Sequence, residues 1–388
     1  MEYLSSRTST ITPSLTLSID SRAKQLKAEG HDVCGFGAGE PDYDTPQHIK
    51  DAAIQALNEG KTKYTPSSGI PALREAIATK LLEENNIDVG PSQVIVSSGA
   101  KQSCLNAILA CVGEGDEVLI PAPYWLSYPE MVRIAGGIPT PIQTRQEDDW
   151  KITPELFEEN MSPRTKMIII NSPGNPTGSV YTAAELQALV AVAAEEEILI
   201  LSDEIYEKLV YDEAEHISVA SLNADAANLT ITVNGFSKAY AMTGWRLGYL
   251  AAPEPIAKAI DSLQSHMTSN PTSFAQYGGI AALTGDQQAM VDMREEYNVR
   301  RQYMLQRLRS IPRLTVSEPK GAFYTLPNIK DFGLSSTNFA DKLLSKENVA
   351  VVPGIAFGDD RTIRLSYAVG LDVIKEGLDR IERFCQTL

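Results

Sequence analysis

A lysine and an arginine eight residues apart are the side chains whose types and spacing most clearly predict chemistry. Lys238 ends the string GFSK (235–238), and Arg246 lies in GWRLG (244–248). A lysine just past the end of a buried strand can be held in a dry site, where its pKa falls and its amine becomes nucleophilic. Most lysines at strand ends are ordinary surface residues. The neighbouring arginine, set between glycines that let the backbone approach a ligand, favours a reactive lysine here.

An aspartate and a tyrosine three residues apart follow a second apolar run. Asp203 and Tyr206 lie in SDEIY (202–206), directly after ILIL (198–201). Open α/β sheets bind ligands at the carboxyl edge of their strands, so a carboxylate here is well placed. A buried anion at this point can keep the ring nitrogen of a bound heteroaromatic ligand protonated, which would make that ring an electron sink. A helix N-cap aspartate is the alternative, but it leaves the tyrosine unexplained.

Two more loops follow apolar runs and carry small or polar residues. NSPGNPTG (171–178) is by itself a turn, since proline, glycine and asparagine in series are what tight loops use. SSGAKQ (97–102) lies at a strand-to-helix junction, where free backbone N–H groups and small side chains form an anion site. Arg246 supplies a fixed charge for the same anion, so the sequence predicts a phosphate site.

Together these motifs resemble those of the class I (fold-type I) pyridoxal-phosphate-dependent aminotransferases, and within them the bacterial-type aspartate aminotransferase subgroup. The resemblance runs from Pro13 nearly to the C-terminus. It implies pyridoxal 5′-phosphate as the cofactor, held by Lys238 as a Schiff base, with Asp203 at the ring nitrogen. Tyr206 and Asn175 would contact the phenolic oxygen. Further cofactor contacts are implied for Tyr64, Ser98, Gly99, Ala100, Trp125, Ser237 and Arg246.

The resemblance also implies how the substrate is held. Arg364 matches the family arginine that binds the substrate α-carboxylate through a bidentate fork. From the sequence alone, this arginine is an edge-strand charge. The family residues beside the substrate correspond here to Gly39, Trp125 and Asn175.

The distal carboxylate of an acidic substrate needs a cationic partner. The animal-type aspartate enzymes use an arginine of the other subunit, and this sequence has no convincing counterpart. The bacterial subgroup uses a lysine and small hydroxyls instead, and Lys101, Ser14 and Thr16 stand at those places. Two loop hydroxyls and an exposed lysine are the ordinary interpretation of these three residues.

Apolar runs alternate with helical periodicity through the middle of the chain. Strands are expected near 93–99, 116–123, 166–173, 197–204 and 229–237, and helices near 100–113, 125–137 and 182–197. Buried strands separated by helices are typical of an α/β sheet that is mostly parallel. Towards the C-terminus, helices are expected at 286–310, 336–347 and 371–386, with short apolar segments between them.

With the resemblance, this pattern predicts a fold-type I architecture. A large α/β domain at 46–290, with a mostly parallel mixed sheet flanked by helices, would bind the cofactor. Residues 1–45 and 291–388 would form a smaller α+β domain. Tyr64 matches the tyrosine that reaches the cofactor phosphate of the neighbouring subunit, which implies a homodimer with shared active sites.

Length and composition exclude several other classes. A chain of 388 residues, 43% hydrophobic and 22% charged, is typical of a two-domain globular enzyme. The net charge of −16 argues against a nucleic-acid partner, and no apolar run is long enough to span a membrane. The four cysteines and four histidines show no metal-ligand spacing, so no metal is expected. Such cysteines indicate a reducing compartment, which we take to be the cytoplasm.

The predicted reaction is a ping-pong transfer of the amino group between amino acids and 2-oxo acids. Aspartate and 2-oxoglutarate would give oxaloacetate and glutamate, with the freed Lys238 amine moving a proton between the substrate α-carbon and the cofactor C4′. Prephenate is the nearest alternative acceptor. A β-eliminating lyase would share every cofactor residue. A pyridoxal-binding regulator is disfavoured, because such proteins place a DNA-binding segment ahead of this fold, which here begins within the first dozen residues.

Overall fold

The structure is a computed structural model that describes Tyr3 and residues 5–388. Within that range the strands are β1 (Cys34–Gly35), β2 (Val94–Ser97), β3 (Glu117–Ala122), β4 (Ile138–Gln143), β5 (Thr165–Asn171), β6 (Leu199–Asp203), β7 (Thr230–Gly235), β8 (Gly248–Ala251), β9 (Tyr324–Thr325), β10 (Val349–Ala350), β11 (Val352–Pro353) and β12 (Ile363–Ser366). The first seven helices are α1 (Ser6–Ser9), α2 (Leu15–Ala28), α3 (Gln47–Asn58), α4 (Pro71–Asn85), α5 (Ala100–Cys111), α6 (Ser127–Ala135) and α7 (Pro154–Asn160). The remaining described helices are α8 (Ala183–Glu195), α9 (Ala224–Leu229), α10 (Glu254–Met267), α11 (Ser273–Thr284), α12 (Gln288–Ser310), α13 (Ser336–Glu347) and α14 (Leu371–Gln386).

The central sheet has seven strands in the order β2-β8-β7-β6-β5-β3-β4. β4, β3, β5, β6 and β7 run parallel to their neighbours in that series. β8 runs antiparallel to both β7 and β2. The predicted α/β fold with a mostly parallel mixed sheet is therefore confirmed.

Helices cover both faces of this sheet, because its strands are apolar on both sides. Along β5, Met167 and Ile169 face the apolar cluster that includes α5, α6 and α10. Ile168 and Ile170 face the opposite cluster, which includes α7 and α8. Successive side chains of a strand point to opposite faces, so a strand buried on both faces is a continuous apolar run. This burial holds the carboxyl ends of β5, β6 and β7 at one fixed edge.

Local sequence sets where the helices begin and end. Thr182 accepts a hydrogen bond from the backbone N–H of Glu185, whose side chain in turn accepts from the backbone N–H of Thr182, so a capping box starts α8. Gly136 ends α6 in the left-handed conformation (φ 90°) that favours glycine. α5 starts directly after Gly99, whose φ of 89° also favours glycine.

The C-terminal third packs into a separate apolar cluster. Side chains of α12, α13 and α14 surround the three-stranded sheet β11-β12-β9 there. β1, from the N-terminal part, pairs in parallel with β10. The N-terminal segment therefore joins the C-terminal elements, and Ile205 and Tyr206 contribute side chains to the same cluster.

Candidate active site

The carboxyl ends of β5, β6 and β7 open onto a cavity of about 440 Å³. This is the edge at which open α/β sheets bind ligands. Among its lining residues are the predicted site residues Thr16, Gly39, Ala100, Lys101, Trp125, Asn175, Asp203, Tyr206, Ser237, Lys238, Arg246 and Arg364. The structure therefore brings together motifs that are widely separated in the sequence.

Asp203 is a buried carboxylate whose oxygens already accept hydrogen bonds. Its Oδ2 accepts from the hydroxyl of Tyr128 at 2.7 Å and lies 3.8 Å from the sulfur of Cys104. Its Oδ1 accepts from the backbone N–H of Ile205 at 3.2 Å. Burial raises the pKa of Asp203, and these hydrogen bonds oppose the rise. The side chain is 4% exposed, so its charge is available only to a group inside the cavity.

Lys238 lines the same cavity as this carboxylate, in the loop that follows β7. Its Nζ donates to the backbone carbonyl of Gly39 and lies 5.8 Å from the ring centre of Tyr206. Burial lowers the pKa of Lys238 to about 8, although the nearby Glu40 opposes the change. About a tenth of this amine is therefore uncharged at pH 7, far more than for an ordinary lysine, and the uncharged amine is the nucleophilic form.

An anion site is formed where Arg246 approaches the start of α5. Arg246 Nη2 donates to the carbonyl of Ser98 at 3.4 Å, and its Nη1 donates to Thr243 at 2.9 Å. A Cβ on Gly99 would lie 2.4 Å from Arg246 Nη2, so only glycine permits this approach. Helix N-terminus and guanidinium together suit a phosphate.

Arg364 lies on β12, the central strand of its sheet, and is 3% exposed. The unaided interpretation of an edge-strand charge is therefore wrong. Its Nη1 donates to Asn175 Oδ1 at 3.0 Å, and its Nη2 donates to the carbonyl of Gly37 at 2.8 Å. Its Nε is buried and has no hydrogen-bond partner among the described residues. A buried, incompletely paired guanidinium is suited to a carboxylate.

Two predicted substrate residues reach the cavity from other helices. Lys101, in the first turn of α5, lies with its Nζ 4.9 Å from the ring centre of Trp125. Burial and, after it, the charge of Arg246 lower the pKa of Lys101. Thr16 lines the cavity from the first turn of α2, and its hydroxyl is 2.9 Å from that of Ser14.

Four predicted residues do not line the cavity. One is Ser14, whose hydroxyl lies next to that of the lining residue Thr16. Ser98 and Gly99 lie directly behind the cavity, where they contact Arg246. Tyr64 lies in the loop between α3 and α4 and is 92% exposed, so this chain by itself does not bring Tyr64 to the site.

Sequence reasoning missed two tyrosines that hold the site together. Tyr128 follows Trp125 by three residues, a spacing that could have pointed to a shared helix face. Tyr324 has no local signal, since it comes from β9. Its hydroxyl is 3.0 Å from that of Tyr206, and its ring lies 4.3 Å from the guanidinium of Arg364.

A buried polar network lies behind the segment SDEIYE (202–207). Glu204 lies 3.0 Å from His216 Nε2, and Glu207 pairs with Lys80. Burial alone would raise the pKa of Glu207, but Lys80, His216 and Lys208 lower it to about 2. The rear network consists of Lys80, Asn85, Glu204, Glu207, His216 and Ser218.

Glu204, Glu207 and His216 carry ligand atoms within 4.8 Å of one another, but Lys80 already neutralises Glu207. None of the described helices is long and apolar enough to cross a membrane.

Fold and site together are those of an α/β enzyme with a lysine-centred cavity at the carboxyl edge of its sheet. Residues 31–381 match the family model for aminotransferases of class I and II. The chain is 48% identical to an aspartate aminotransferase of Geobacillus stearothermophilus, over 99% of each chain. It is 44% identical to an aspartate/prephenate aminotransferase of Cereibacter sphaeroides, over 100% of each. An aspartate aminotransferase from Thermus thermophilus, solved with maleate, has a TM-score of 0.95 and 42% identity, over 99% of this chain and 100% of that one.

The chain therefore belongs to the aminotransferase class I and II family. The predicted family, the fold-type I architecture and the prediction of an aminotransferase enzyme are confirmed.

Proposed function

We propose that this enzyme is a pyridoxal-phosphate-dependent aspartate aminotransferase that works with 2-oxoglutarate by a ping-pong mechanism. The observation that carries the proposal is the single cavity that joins Lys238, Asp203, Arg246 and Arg364. Relatives at 47–48% identity are named aspartate aminotransferase. That name supports aspartate as the donor and oxaloacetate as its product.

The residues of the cavity fit the proposed cofactor. Arg246 and the start of α5 would hold its phosphate, because Gly99 leaves room for the arginine and no room for a Cβ. Asp203 would face the ring nitrogen, and Asn175 and Tyr206 would face the phenolic oxygen. Trp125 would cover one face of the ring. Ser237 and Ala100 also line the cavity. When bound, pyridoxal phosphate supplies an electron sink for a carbanion at the substrate α-carbon.

Lys238 has two roles in the proposed mechanism. It holds the cofactor covalently between turnovers, and after the substrate amine displaces it, its free amine moves the α-proton. Its pKa of about 8 supports both roles, since the amine can be neutral when it attacks and can still carry a proton when it donates. Asp203 keeps the ring nitrogen protonated by holding a negative charge in a buried position.

The two carboxylates of the substrate would bind at opposite ends of the cavity. Arg364, whose Nε has no hydrogen-bond partner in the described part of the chain, would bind the α-carboxylate beside Gly39 and Asn175. Lys101, helped by Thr16 and Ser14, would bind the distal carboxylate. An acidic side chain in a closed site requires a cation, because an unpaired buried charge is costly. The solved relative with maleate, a four-carbon dicarboxylate, is consistent with such a site.

Prephenate is the second candidate acceptor. Five relatives at 43–48% identity are named, outright or as probable, aspartate/prephenate aminotransferases. Prephenate also carries a carboxylate remote from its 2-oxo acid group, which the same lysine would bind.

We further propose a homodimer with shared sites, a two-domain chain and a cytoplasmic location. The exposed Tyr64 supports the homodimer, because a side chain that lies in solvent in one chain can contribute to an active site only in a partner subunit. The pairing of β1 with β10 supports a small domain of residues 1–45 and 291–388 beside a large domain of residues 46–290. Four free cysteines are consistent with a reducing compartment.

The proposal is tested by half-reactions on the purified holoenzyme. Aspartate and glutamate should each convert the lysine-bound chromophore to the aminated cofactor, and oxaloacetate, 2-oxoglutarate or prephenate should reverse it. Lys238→Ala should retain cofactor and turn over several orders of magnitude more slowly, whereas Lys258→Ala, at an exposed surface lysine, should behave as wild type. Release of pyruvate together with a β-substituent, without amination of the cofactor, would instead establish a lyase.

A further inference from the structure

Asp203 is held by a side chain that belongs to none of the sequence motifs for cofactor binding. The hydroxyl of Tyr128 lies 2.7 Å from Asp203 Oδ2. The second neighbour of that oxygen, the thiol of Cys104, is 3.8 Å away, and a thiol is a weak donor. The phenol is therefore the principal side-chain donor to this carboxylate.

Tyr128 also contacts the aromatic side chain proposed to cover the cofactor. Its ring meets Trp125 edge-on, with centroids 5.2 Å apart and an interplanar angle of 84°. It is 1% exposed and lies in the first turn of α6. A tyrosine so enclosed has little freedom to leave its partners.

We propose that Tyr128 is a positioning residue of the aminotransferase site, whose hydroxyl orients Asp203 and keeps its carboxylate ionised beside the ring nitrogen. This inference rests on the proposed function, since it assigns Asp203 to the cofactor ring. Tyr128 itself need not touch the reacting atoms.

The physical basis is competition between burial and hydrogen bonding. Burial favours the protonated form of Asp203, which carries no negative charge to stabilise a protonated ring nitrogen. A hydrogen bond donated to the ionised carboxylate favours the charged form and opposes the effect of burial. The side-chain hydrogen bond from Tyr128 is the largest of the influences that lower the pKa of Asp203. Burial, then the charge of Asp203, raises the pKa of Tyr128 well above its usual range, so the phenol remains a donor.

The other groups that face Asp203 do not replace this contact. Cys104 approaches from α5, and Glu204 on the same segment raises the pKa of Asp203. Tyr206, two residues further on, bonds with Tyr324 instead. Lys238, in the loop after β7, donates to the carbonyl of Gly39 and not to Asp203. Removing the Tyr128 hydroxyl therefore leaves the backbone N–H of Ile205 and a distant thiol.

The decisive measurement uses the cofactor-free protein. Carbon-13 NMR of labelled aspartate carboxyls follows the titration of Asp203, whose signal is assigned by its loss in Asp203→Asn. In Tyr128→Phe the midpoint should rise by about one to two pH units, the size expected for losing a hydrogen bond to a charged group. Tyr181→Phe is the matched control, because it removes an equally buried hydroxyl that accepts from the backbone N–H of Ile152. A midpoint equal in Tyr128→Phe and wild type would overturn the inference.

A second substitution should shift the titration midpoint of Asp203 in the opposite direction, and it keeps the hydroxyl of Tyr128 in place. Site-specific 3-fluorotyrosine at position 128 is a stronger donor, so the Asp203 midpoint should fall. An unchanged or raised midpoint would contradict the proposal, even where Tyr128→Phe does not fold.

The holoenzyme supplies the functional arm. The acid limb of the half-reaction rate should move upwards in pH in Tyr128→Phe, with little change in substrate KM, and remain in place in Tyr181→Phe. In an Asp203→Asn background, Tyr128→Phe should add little further loss, since coupled residues are not additive. Additive losses would show that Tyr128 has a purely structural role.

The proposed function can fail independently of this inference. A wild-type enzyme that aminates no 2-oxo acid would refute the proposed function, whereas the NMR titration of Asp203 would still test the contact with Tyr128.

Discussion

At the scale of single residues, Lys238 lies where a primary amine loses part of its affinity for protons. The cavity around it withholds water, and Arg364 and Arg246 add positive charge that works in the same direction as burial. The neutral amine is the form that attacks an aldehyde, and it appears as the pH rises through the pKa.

We therefore expect attachment of pyridoxal phosphate to the cofactor-free protein to accelerate up to about pH 8 and then level off. An ordinary lysine would keep gaining rate to about pH 10.4. Stopped-flow absorbance of the lysine-bound cofactor gives the profile, with Lys238→Ala as the blank. A rate that still climbs above pH 9 would mean that the amine is not desolvated.

Lys101 is the residue on which substrate selectivity depends. Lys101→Ala should lower kcat/KM for aspartate and 2-oxoglutarate by roughly 30- to 1000-fold, on the order of 2–4 kcal/mol, because the distal carboxylate loses its charged partner. Neutral amino acids should change little. The ratio of the two specificity constants is the measurement. A parallel fall for both classes would assign Lys101, which also lies over Trp125, to the cofactor instead.

Local patterns predicted some residues of the site and could not predict others. Lys238, Asp203 and Arg246 each lie next to an apolar strand and small residues. The sequence around each of them is therefore enough to predict a role in the site. Tyr324 reaches Tyr206 across 118 positions of sequence, and nothing in its own neighbourhood indicates that contact. The role of Arg364 is predictable only from the family resemblance. The sequence of a strand does not show whether that strand lies at the centre or at the edge of its sheet.

At the scale of elements, the segment 202–207 at the carboxyl end of β6 faces two environments. Asp203 and Tyr206 line the cavity, whereas Glu204 and Glu207 belong to the rear network. The rear network thus anchors from behind the segment that carries two proposed cofactor contacts.

Breaking this anchor should cost stability. Glu207→Gln leaves Lys80 as a buried charge without its main partner, which should lower the free energy of unfolding by about 3–5 kcal/mol. Urea unfolding measures the loss, and Glu83→Gln, at an exposed position on the same helix as Lys80, is the control.

The same pair predicts a pH dependence. The folded pKa of Glu207 is depressed to about 2 from an ordinary value of 4.5. Its stabilisation is therefore complete above about pH 4.5 and is lost as the pH falls towards 2. The difference between wild type and Glu207→Gln should therefore shrink as the pH falls from about 4.5 towards 2. A difference that disappears by pH 6 would mean that Glu207 is protonated in the folded protein.

Element boundaries are predictable where a strand is buried along its length or where a helix has a regular apolar face. The strands expected at 166–173 and 197–204 are β5 and β6, and the helices expected at 336–347 and 371–386 are α13 and α14. β4 has no such signal because Pro139 and Pro141 interrupt it. Prolines are tolerated there because β4 is the edge strand and pairs only with β3. β8 was not predicted, because it begins at Gly248, the last residue of the motif GWRLG.

At the scale of the whole molecule, the position of Tyr64 bears on assembly. A side chain 92% exposed in one chain contributes nothing to that chain's own cavity. In a two-fold dimer the same surface would be presented to the partner's site.

Mixing inactive subunits tests the shared site. Tyr64→Ala and Lys238→Ala proteins, unfolded and refolded together, should regain activity, because one site of each mixed dimer has both residues intact. Random pairing restores about a quarter of the sites. Each variant refolded alone is the control. If the mixture never exceeds the sum of the two, each chain has a self-contained site.

The two-sided arrangement of residues 202–207 also constrains how this enzyme can change. An exchange at any of these positions disturbs either the cavity or the rear network, and most backbone shifts would disturb both. Thr16 and Lys101 lie in the first turns of α2 and α5 and carry no part of that network. Selection for new amino donors should therefore collect substitutions in those two helix turns, while residues 202–207 stay as they are.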